Sequence, residues 1–243
     1  MIHFFRRIRK QLLNNKKLST YALYAIGEVF LVVIGILIAL QINNWNNHRI
    51  ERQEETRTYQ NIKSQISEDR KELLEIQAFN RMTLGQLEHA NRLISNKNRR
   101  AIDTLAYLVM MMSQYSDFNG NGNIYETLVN SGDLKLLKND EIPMRIKKLE
   151  NTYNRINHLE DLNWSIIIEE LSKELRGVLN YESFERFEPD RIIKPNKLYS
   201  PELQNIIYEV RYLSMGKDTI YEKAIKEIDG LEEIISTEIG DNP

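Results

Sequence analysis

The most informative part of this sequence is Tyr21–Ile42, YALYAIGEVFLVVIGILIALQI. It has 22 residues, of which 13 are Leu, Ile, Val or Phe, and Glu28 is its only charged residue. The large apolar side chains favour membrane insertion by roughly −6 kcal/mol in sum, whereas one central charge costs about +2.5 to +3.5 kcal/mol. As a helix, the stretch is long enough to cross the hydrocarbon core of a bilayer. It therefore predicts a transmembrane helix.

Two other interpretations of this stretch are weaker. A cleaved signal peptide also follows basic residues, but its apolar core usually has about 7 to 15 residues, and no A-x-A cleavage site follows here. The core helix of a soluble protein would carry polar residues on one face, whereas this stretch is apolar on every face. Tyr21 and Tyr24 at one end and Trp45 at the other are predicted interfacial anchors, because aromatic side chains favour the headgroup level.

The distribution of basic residues predicts the orientation of the span. Six basic residues and no acidic residue precede it, whereas the 15 residues after it contain three basic residues. By the positive-inside rule the N-terminus stays in the cytoplasm and the large C-terminal part is exported. In a bacterium with two membranes, this predicts a single-pass inner-membrane protein with a periplasmic domain. The basic tail is either an amphipathic interfacial helix or a solvated segment.

The composition favours helices and excludes several kinds of partner. With 243 residues and a net charge of −2, the chain has no overall basic character that would indicate a nucleic-acid partner. It contains no Cys, so it forms neither disulfides nor thiolate metal sites. Ten Gly and five Pro are few, and Glu, Lys, Arg, Leu and Ile are frequent. We therefore expect an all-α protein.

Apolar residues recur at alternating steps of three and four along the C-terminal part, as in the seams of helical bundles and coiled coils. The predicted organisation is a cytoplasmic basic amphipathic tail at 1–18, a transmembrane helix at 19–43 and a periplasmic helical domain at 44–243. We expect an elongated antiparallel bundle with long coiled-coil-like helices; extended parallel dimerisation is the alternative. The predicted helices cover residues 43–96, 101–116, 123–130, 140–179 and 201–239, with Gly216 either splitting the last one or lying within it.

Glu28 is the most informative single position, because an acidic residue inside a span is by default a functional hypothesis. On a helical wheel it shares a face with Val32, Gly35 and Ala39, and the Gly35-x-x-x-Ala39 pair permits close helix approach. We expect this face to contact another transmembrane helix, from a second copy or from a partner protein. The alternatives are a protonated or locally hydrated Glu28 in a span that is shifted toward its C-terminal end, and a proton relay.

Other patterns give weaker indications of chemistry. DFNGNGNIYETL (Asp117–Leu128) resembles a calcium-binding loop, but Leu128 occupies the position of the bidentate Glu. A flexible loop followed by a helix cap formed by Asn123 and Glu126 explains the same residues better. The four His residues show no metal-binding spacing, and no nucleophile elbow or phosphate-binding loop occurs. We therefore predict no catalytic residues, no metal and no cofactor.

Two stretches resemble a known family. FFRRIRK followed by YALYAIGEVFLVVIGILIALQINNWN, within Phe4–Asn46, is similar to the opening of an uncharacterised family of single-span membrane proteins of Bacteroidota, domain of unknown function family 6090. NIYETLVNSGDLKLLKNDEI, Asn123–Ile142, resembles a second recurring stretch of that family. The resemblance implies an N-terminal anchor and a helical extramembrane domain, and it implies no activity.

The leading functional hypothesis is a non-enzymatic, membrane-anchored interaction domain: a scaffold, adaptor or accessory subunit of an envelope complex. Its expected partners are the lipid bilayer and a membrane protein, or a second copy bound through the transmembrane helix. The alternative is a periplasmic small-molecule sensor that works with a membrane partner and binds its ligand near Trp164 or the Asp117 loop. That alternative predicts a sizeable pocket rather than a filled core.

Overall fold

The computed structural model describes residues 18–120 and 122–240, so the predicted N-terminal tail lies outside them except for its last residue. The described residues are mostly helical and contain no β-strand; only an isolated bridge joins Leu179 and Ile192. The predicted all-α fold is confirmed. The helices are α1 Leu18–Ser95, α2 Ile102–Met111, α3 Ile124–Ser131, α4 Glu141–Ile166, α5 Ser172–Leu175, α6 Tyr181–Glu185 and α7 Pro201–Ile239, with a π-helical segment at Ile167–Leu171.

By its internal contacts the chain divides into two compact units, Met1–Glu54 and Glu55–Pro243. In the first unit, the described residues belong to the N-terminal part of α1. Its side chains from Ala25 onward are exposed or half-buried, as expected for a helix without protein neighbours. This part of α1 contains the apolar stretch Tyr21–Ile42, which the sequence predicts to be a transmembrane helix.

The second unit is built on the C-terminal part of α1 together with α4 and α7. Helix α7 runs antiparallel to α1, because Arg70 pairs with Asp229 while Arg81, further along α1, pairs with Asp218. Helices α1 and α4 run parallel to each other, so the predicted antiparallel arrangement holds for α7 but not for this pair. The reason is the long connection from Asn96 to Asp140, which brings the chain back before α4 begins.

Two apolar clusters form the core of the second unit. The first lies around Ile66 of α1, Tyr153 of α4 and Ile228 of α7, and it includes residues of α3. The second lies around Leu87 of α1 and Val210 of α7, and it includes residues of α2 and of the segment that follows α4. Burial of these side chains is the main favourable contribution to folding of the unit.

Several predicted helix ends are confirmed and others are wrong. The Ser200 hydroxyl accepts a hydrogen bond from the Leu203 amide at 3.2 Å, with Pro201 at the first helical position, as the sequence predicts. Helix α7 continues through Gly216 without a break. Helix α2, however, ends at Met111 rather than residue 116. The predicted helix 140–179 is interrupted by the π-helical segment Ile167–Leu171, resumes as α5 and ends at Leu175 rather than residue 179.

Candidate functional site

The predicted interaction face of the apolar helix is open in the described residues. Glu28, Val32, Gly35 and Ala39 follow one another at steps of four, three and four, which keeps them on one side of α1. Val32, Gly35 and Ala39 are exposed, and Glu28 is half-buried. A Cβ atom added at Gly35 would meet no heavy atom within 4 Å. This face therefore has room for a closely packed neighbouring helix.

Trp45, the predicted anchor at the C-terminal end of the apolar stretch, is 65% exposed. The Cζ atom of Arg49, one turn further along α1, lies 5.8 Å from the centroid of the Trp45 ring. An aromatic ring beside a cation is typical of the polar boundary of a membrane. Tyr21 and Tyr24 also belong to α1, and their side chains lie outside the described part of the chain.

The second unit contains a layer of buried polar side chains between its two apolar clusters. We call this layer the core polar cluster. At most 7% of any of these side chains is exposed. Each of the three long helices contributes to it: the members are Asn80 from α1, Glu160 and Asn163 from α4, and Ser214, Lys217 and Tyr221 from α7.

Hydrogen bonds between helices satisfy most of the core polar cluster. The Tyr221 hydroxyl donates to Glu160 Oε1 at 2.5 Å, and the Phe118 amide donates to Glu160 Oε2 at 3.1 Å. The Lys217 ammonium donates to Asn163 Oδ1 at 3.1 Å. Asn80 Nδ2 donates to the backbone carbonyl of residue 214 at 2.8 Å. These bonds tie α7 to both α1 and α4 at one level of the bundle.

Burial shifts the titration of the charged members of this cluster. It raises the pKa of the Glu160 carboxyl, because desolvation outweighs the hydrogen bonds from Tyr221 and Phe118 that favour the ionised form. It lowers the pKa of the Lys217 ammonium, against the attraction of Glu160. At the edge of the cluster, burial and nearby acidic groups raise the pKa of Tyr115 to about 12.

All members of the core polar cluster except Glu160 line a cavity of about 20 Å³. The segment that follows α2 closes one side of this cavity through Gln114, Tyr115 and Ser116. The rings of Tyr115 and Trp164 lie beside each other, with centroids 4.5 Å apart. A cavity of this size accommodates one atom-sized guest and no organic ligand.

An open apolar groove lies on the surface between α4 and α7. Its volume is about 610 Å³, and Ser165, Glu209 and Arg211 also line it. The Tyr212 side chain is 77% exposed and Tyr208 49% exposed, which is unusual for large aromatic residues. We call this surface groove the tyrosine groove. Its apolar lining residues are Leu162, Ile166, Tyr208, Tyr212 and Leu213.

The loop that resembles a calcium site is used for packing. Its Phe118 side chain is buried and packs edge-on against Tyr153, with ring centroids 4.7 Å apart. The predicted N-terminal cap of α3 is wrong, because the Asn123 side chain makes no capping hydrogen bond. The carboxylate of Glu150 in α4 instead accepts a hydrogen bond from the Tyr125 amide at 2.7 Å. Asn121 of the calcium template lies outside the described residues. Among residues 18–120 and 122–240, no group of three or more His, Asp or Glu is placed to hold a metal ion.

Sequence reasoning did not single out the core polar cluster, although a signal for it exists. In α4 the seam continues as Ile156, Glu160, Asn163 and Ile167, with polar residues at two successive core positions. In α7 the seam continues in the same way through Ser214 and Lys217. Polar residues at matching levels of two seams indicate a buried polar layer.

The apolar part of α1 and the similarity of the chain to known proteins bear on its classification. Within the described residues, α1 is a helix long and apolar enough, by length and composition, to cross a membrane: its most apolar 18-residue window has a mean hydropathy of 2.5 and none of it is buried. No curated protein and no solved structure matches the chain. A family model matches residues 28–186, more than half of the chain, from Glu28 in α1 to Arg186 after α6. The chain belongs to this family of unknown function (DUF6090).

Proposed function

We propose that this chain is a membrane-anchored interaction protein without enzymatic activity, which acts as a scaffold, adaptor or accessory subunit of an envelope complex. In this proposal α1 crosses the inner membrane once. The N-terminus is cytoplasmic and the second unit is periplasmic, in agreement with the six basic residues before the apolar stretch.

The exposure of the apolar part of α1 supports membrane anchoring. The core helix of a soluble protein would be mostly buried, whereas the most apolar window of α1 is not buried at all. Leaving this many large apolar side chains in water would carry a large hydrophobic penalty, which a bilayer removes. A cleaved signal peptide is disfavoured because α1 continues without a helix break well beyond the apolar residues.

The open face at Gly35 is the observation that carries the interaction proposal. Transmembrane helices associate where small residues let their backbones approach, and Gly35 and Ala39 provide such a place beside Glu28. A carboxyl group within lipid is stabilised when a neighbouring helix donates a hydrogen bond to it or shares its proton. The tyrosine groove supports the same function in the second unit, because exposed aromatic residues around an apolar depression are typical of protein contacts.

The alternative function, a small-molecule sensor, has less support. It requires a pocket inside the bundle near Trp164 or the Asp117 loop, and the cavity found there measures only about 20 Å³. Ligand pockets for small organic molecules usually have volumes of about 300–1,000 Å³. The tyrosine groove reaches that size, but it is open to solvent along the helices, which fits a macromolecular surface better.

Cysteine crosslinking in membranes tests the proposed face directly, because the chain has no native Cys. We expect Gly35→Cys to form a crosslinked product with a neighbouring helix, and the open space at Gly35 makes the substitution compatible with the fold. Leu37→Cys is the matched control, since residue 37 is exposed but lies about 200° around the helix from residue 35.

The proposal predicts much more product from the Gly35→Cys variant than from the control, and less product when Glu28→Gln is added. The mass of the product distinguishes a second copy from a different protein. Equal product from both cysteines, or none from either, would remove the proposed interaction face.

A further inference from the structure

The cavity in the core polar cluster has the size and the wall chemistry of a site for a single small guest. Its volume, about 20 Å³, exceeds the roughly 10–15 Å³ that one water molecule needs by the same measure. Apolar side chains such as Ile76, Met112 and Val210 form part of the wall. The rest of the wall is polar, and this distinguishes the cavity from the dry apolar voids that stay empty in proteins.

Asn163 provides the strongest indication of a guest. Only 3% of the residue is exposed, so it is 97% buried. Its side chain lines the cavity. Its Oδ1 atom accepts the hydrogen bond from Lys217, but its Nδ2 atom has no hydrogen-bond partner among the described residues. Burying an amide donor without a partner costs about 1–3 kcal/mol, so a native core normally provides one.

Lys217 provides a second donor at the same cavity. Its ammonium group has three N–H donors, and the hydrogen bond to Asn163 uses one of them. In the described part of the chain the Glu160 carboxylate accepts hydrogen bonds from the Tyr221 hydroxyl and the Phe118 amide but none from Lys217, on which it acts as a nearby charge. Two buried donors therefore line one cavity of atomic size.

We propose that this cavity is a binding site for one hydrogen-bond acceptor of atomic size, a water oxygen or a halide ion, held between the Lys217 ammonium and the Asn163 carboxamide. The guest bridges α7 and α4 where the two apolar clusters meet, and so completes the polar layer between them. Both candidate guests accept hydrogen bonds from these donors, and they differ in charge. When Glu160 is ionised it balances Lys217 and favours water; when Glu160 is protonated the site favours an anion.

Crystals of the full-length chain in detergent, grown in sodium chloride and in sodium bromide, test the proposal. We expect one density peak within hydrogen-bonding distance of Asn163 Nδ2 and Lys217 Nζ. A peak with bromide anomalous signal identifies a halide guest, and a peak without it identifies water; both results support the site. A wild-type cavity without density, or an Asn163 Nδ2 bonded to a protein group instead, would overturn the proposal.

Matched variants test whether Asn163 and Lys217 hold the guest that gives the density peak. We expect the peak to disappear in Asn163→Leu and in Lys217→Met crystals. Asn91→Leu is the control, because Asn91 is also a buried asparagine with an unpartnered side-chain atom but does not line the cavity. Persistence of the peak at the same place in Asn163→Leu crystals would show that other groups hold the guest, and it would contradict the assignment.

Discussion

At the scale of single residues, the described part of the second unit buries four charged side chains, and a residue from another segment contacts each of them; they are Glu55, Asp69, Glu160 and Lys217. Glu55 contacts the Lys138 ammonium at 3.3 Å, and Asp69 accepts a hydrogen bond from the Tyr153 hydroxyl at 2.9 Å. Removing a charge from water costs several kcal/mol unless partners replace the lost hydration. Such pairs fix which residues of neighbouring helices lie opposite each other, since a shifted register would leave the charges without these partners.

The Tyr153–Asp69 pair gives the first stability prediction. Tyr153→Phe keeps the buried ring and removes the hydroxyl that donates to Asp69, so we expect the free energy of unfolding to fall by about 1–3 kcal/mol. Denaturant unfolding of the full-length chain in detergent measures this change. Tyr212→Phe is the control: its side chain is 77% exposed, and we expect a change of less than about 0.5 kcal/mol. Equal effects of the two substitutions would contradict a structural role for the buried pair.

Glu160 gives a prediction about pH. Its pKa is raised in the folded chain above the ordinary value of 4.5, so the folded state binds more protons than the unfolded state just above that pH. The stability contributed by this group therefore decreases as pH rises from 4.5 through the raised pKa. Glu160→Gln does not titrate, so the melting temperature of the wild type minus that of the variant should decrease over this range. A difference that increases with pH would contradict the burial of the carboxyl group.

At the scale of secondary structure, we expect Ala substitutions at two glycines to change stability in opposite directions. Gly216 lies inside α7, and a Cβ atom there would meet Leu159 Cδ1 at 4.0 Å, an ordinary contact. Gly132 ends α3 with a φ of 81°, where an L side chain is strained. We expect Gly216→Ala to stabilise the chain by about 0.5–1 kcal/mol and Gly132→Ala to destabilise it by about 1–3 kcal/mol. Thermal unfolding of both variants measures these changes. A change in melting temperature of the same sign in both variants would contradict the prediction.

The sequence predicts helices well where the signal is local. The start of α7 follows from Ser200 and Pro201, and the end of α3 follows from Gly132. The α3 cap is not predictable in this way, because its acceptor is Glu150 of α4 rather than the neighbouring Asn123. An interaction between residues distant in sequence replaces the local one.

The spacing of buried residues explains why a π-helical segment follows α4. Asn163, Ile167, Leu171 and Leu175 are all buried, and they follow one another at three successive steps of four. In an α-helix with 3.6 residues per turn, such steps drift around the helix axis by about 120° in total. A π-helical segment has more residues per turn, and at Ile167–Leu171 it keeps these side chains facing the core.

The candidate sites differ in how far they were predictable. The face with Glu28 and Gly35 rests on spacing along one helix, so the sequence alone is enough to propose it, and it stays a prediction. The core polar cluster depends on which levels of α1, α4 and α7 meet, and two seams alone do not fix that register. Lys217 falls on the seam of α7, but only the register between α7 and α4 places its ammonium group beside Asn163.

At the scale of the whole molecule, the two units have different chemical character. The apolar stretch of the first unit presents apolar side chains on all sides of one helix, whereas the second unit has its own buried core. The family match runs from residue 28 to residue 186. It therefore includes most of the apolar stretch and the second unit as far as the end of α6, but not α7.

Extraction of membranes with alkali tests the central claim, that the apolar stretch lies in lipid. We predict that the full-length chain stays in the membrane pellet. As a control, Val33→Arg combined with Leu37→Arg adds roughly +6 kcal/mol to the insertion free energy, enough to cancel the roughly −6 kcal/mol from the apolar side chains, and we expect this variant in the supernatant. Release of the wild-type chain into the supernatant would contradict the account.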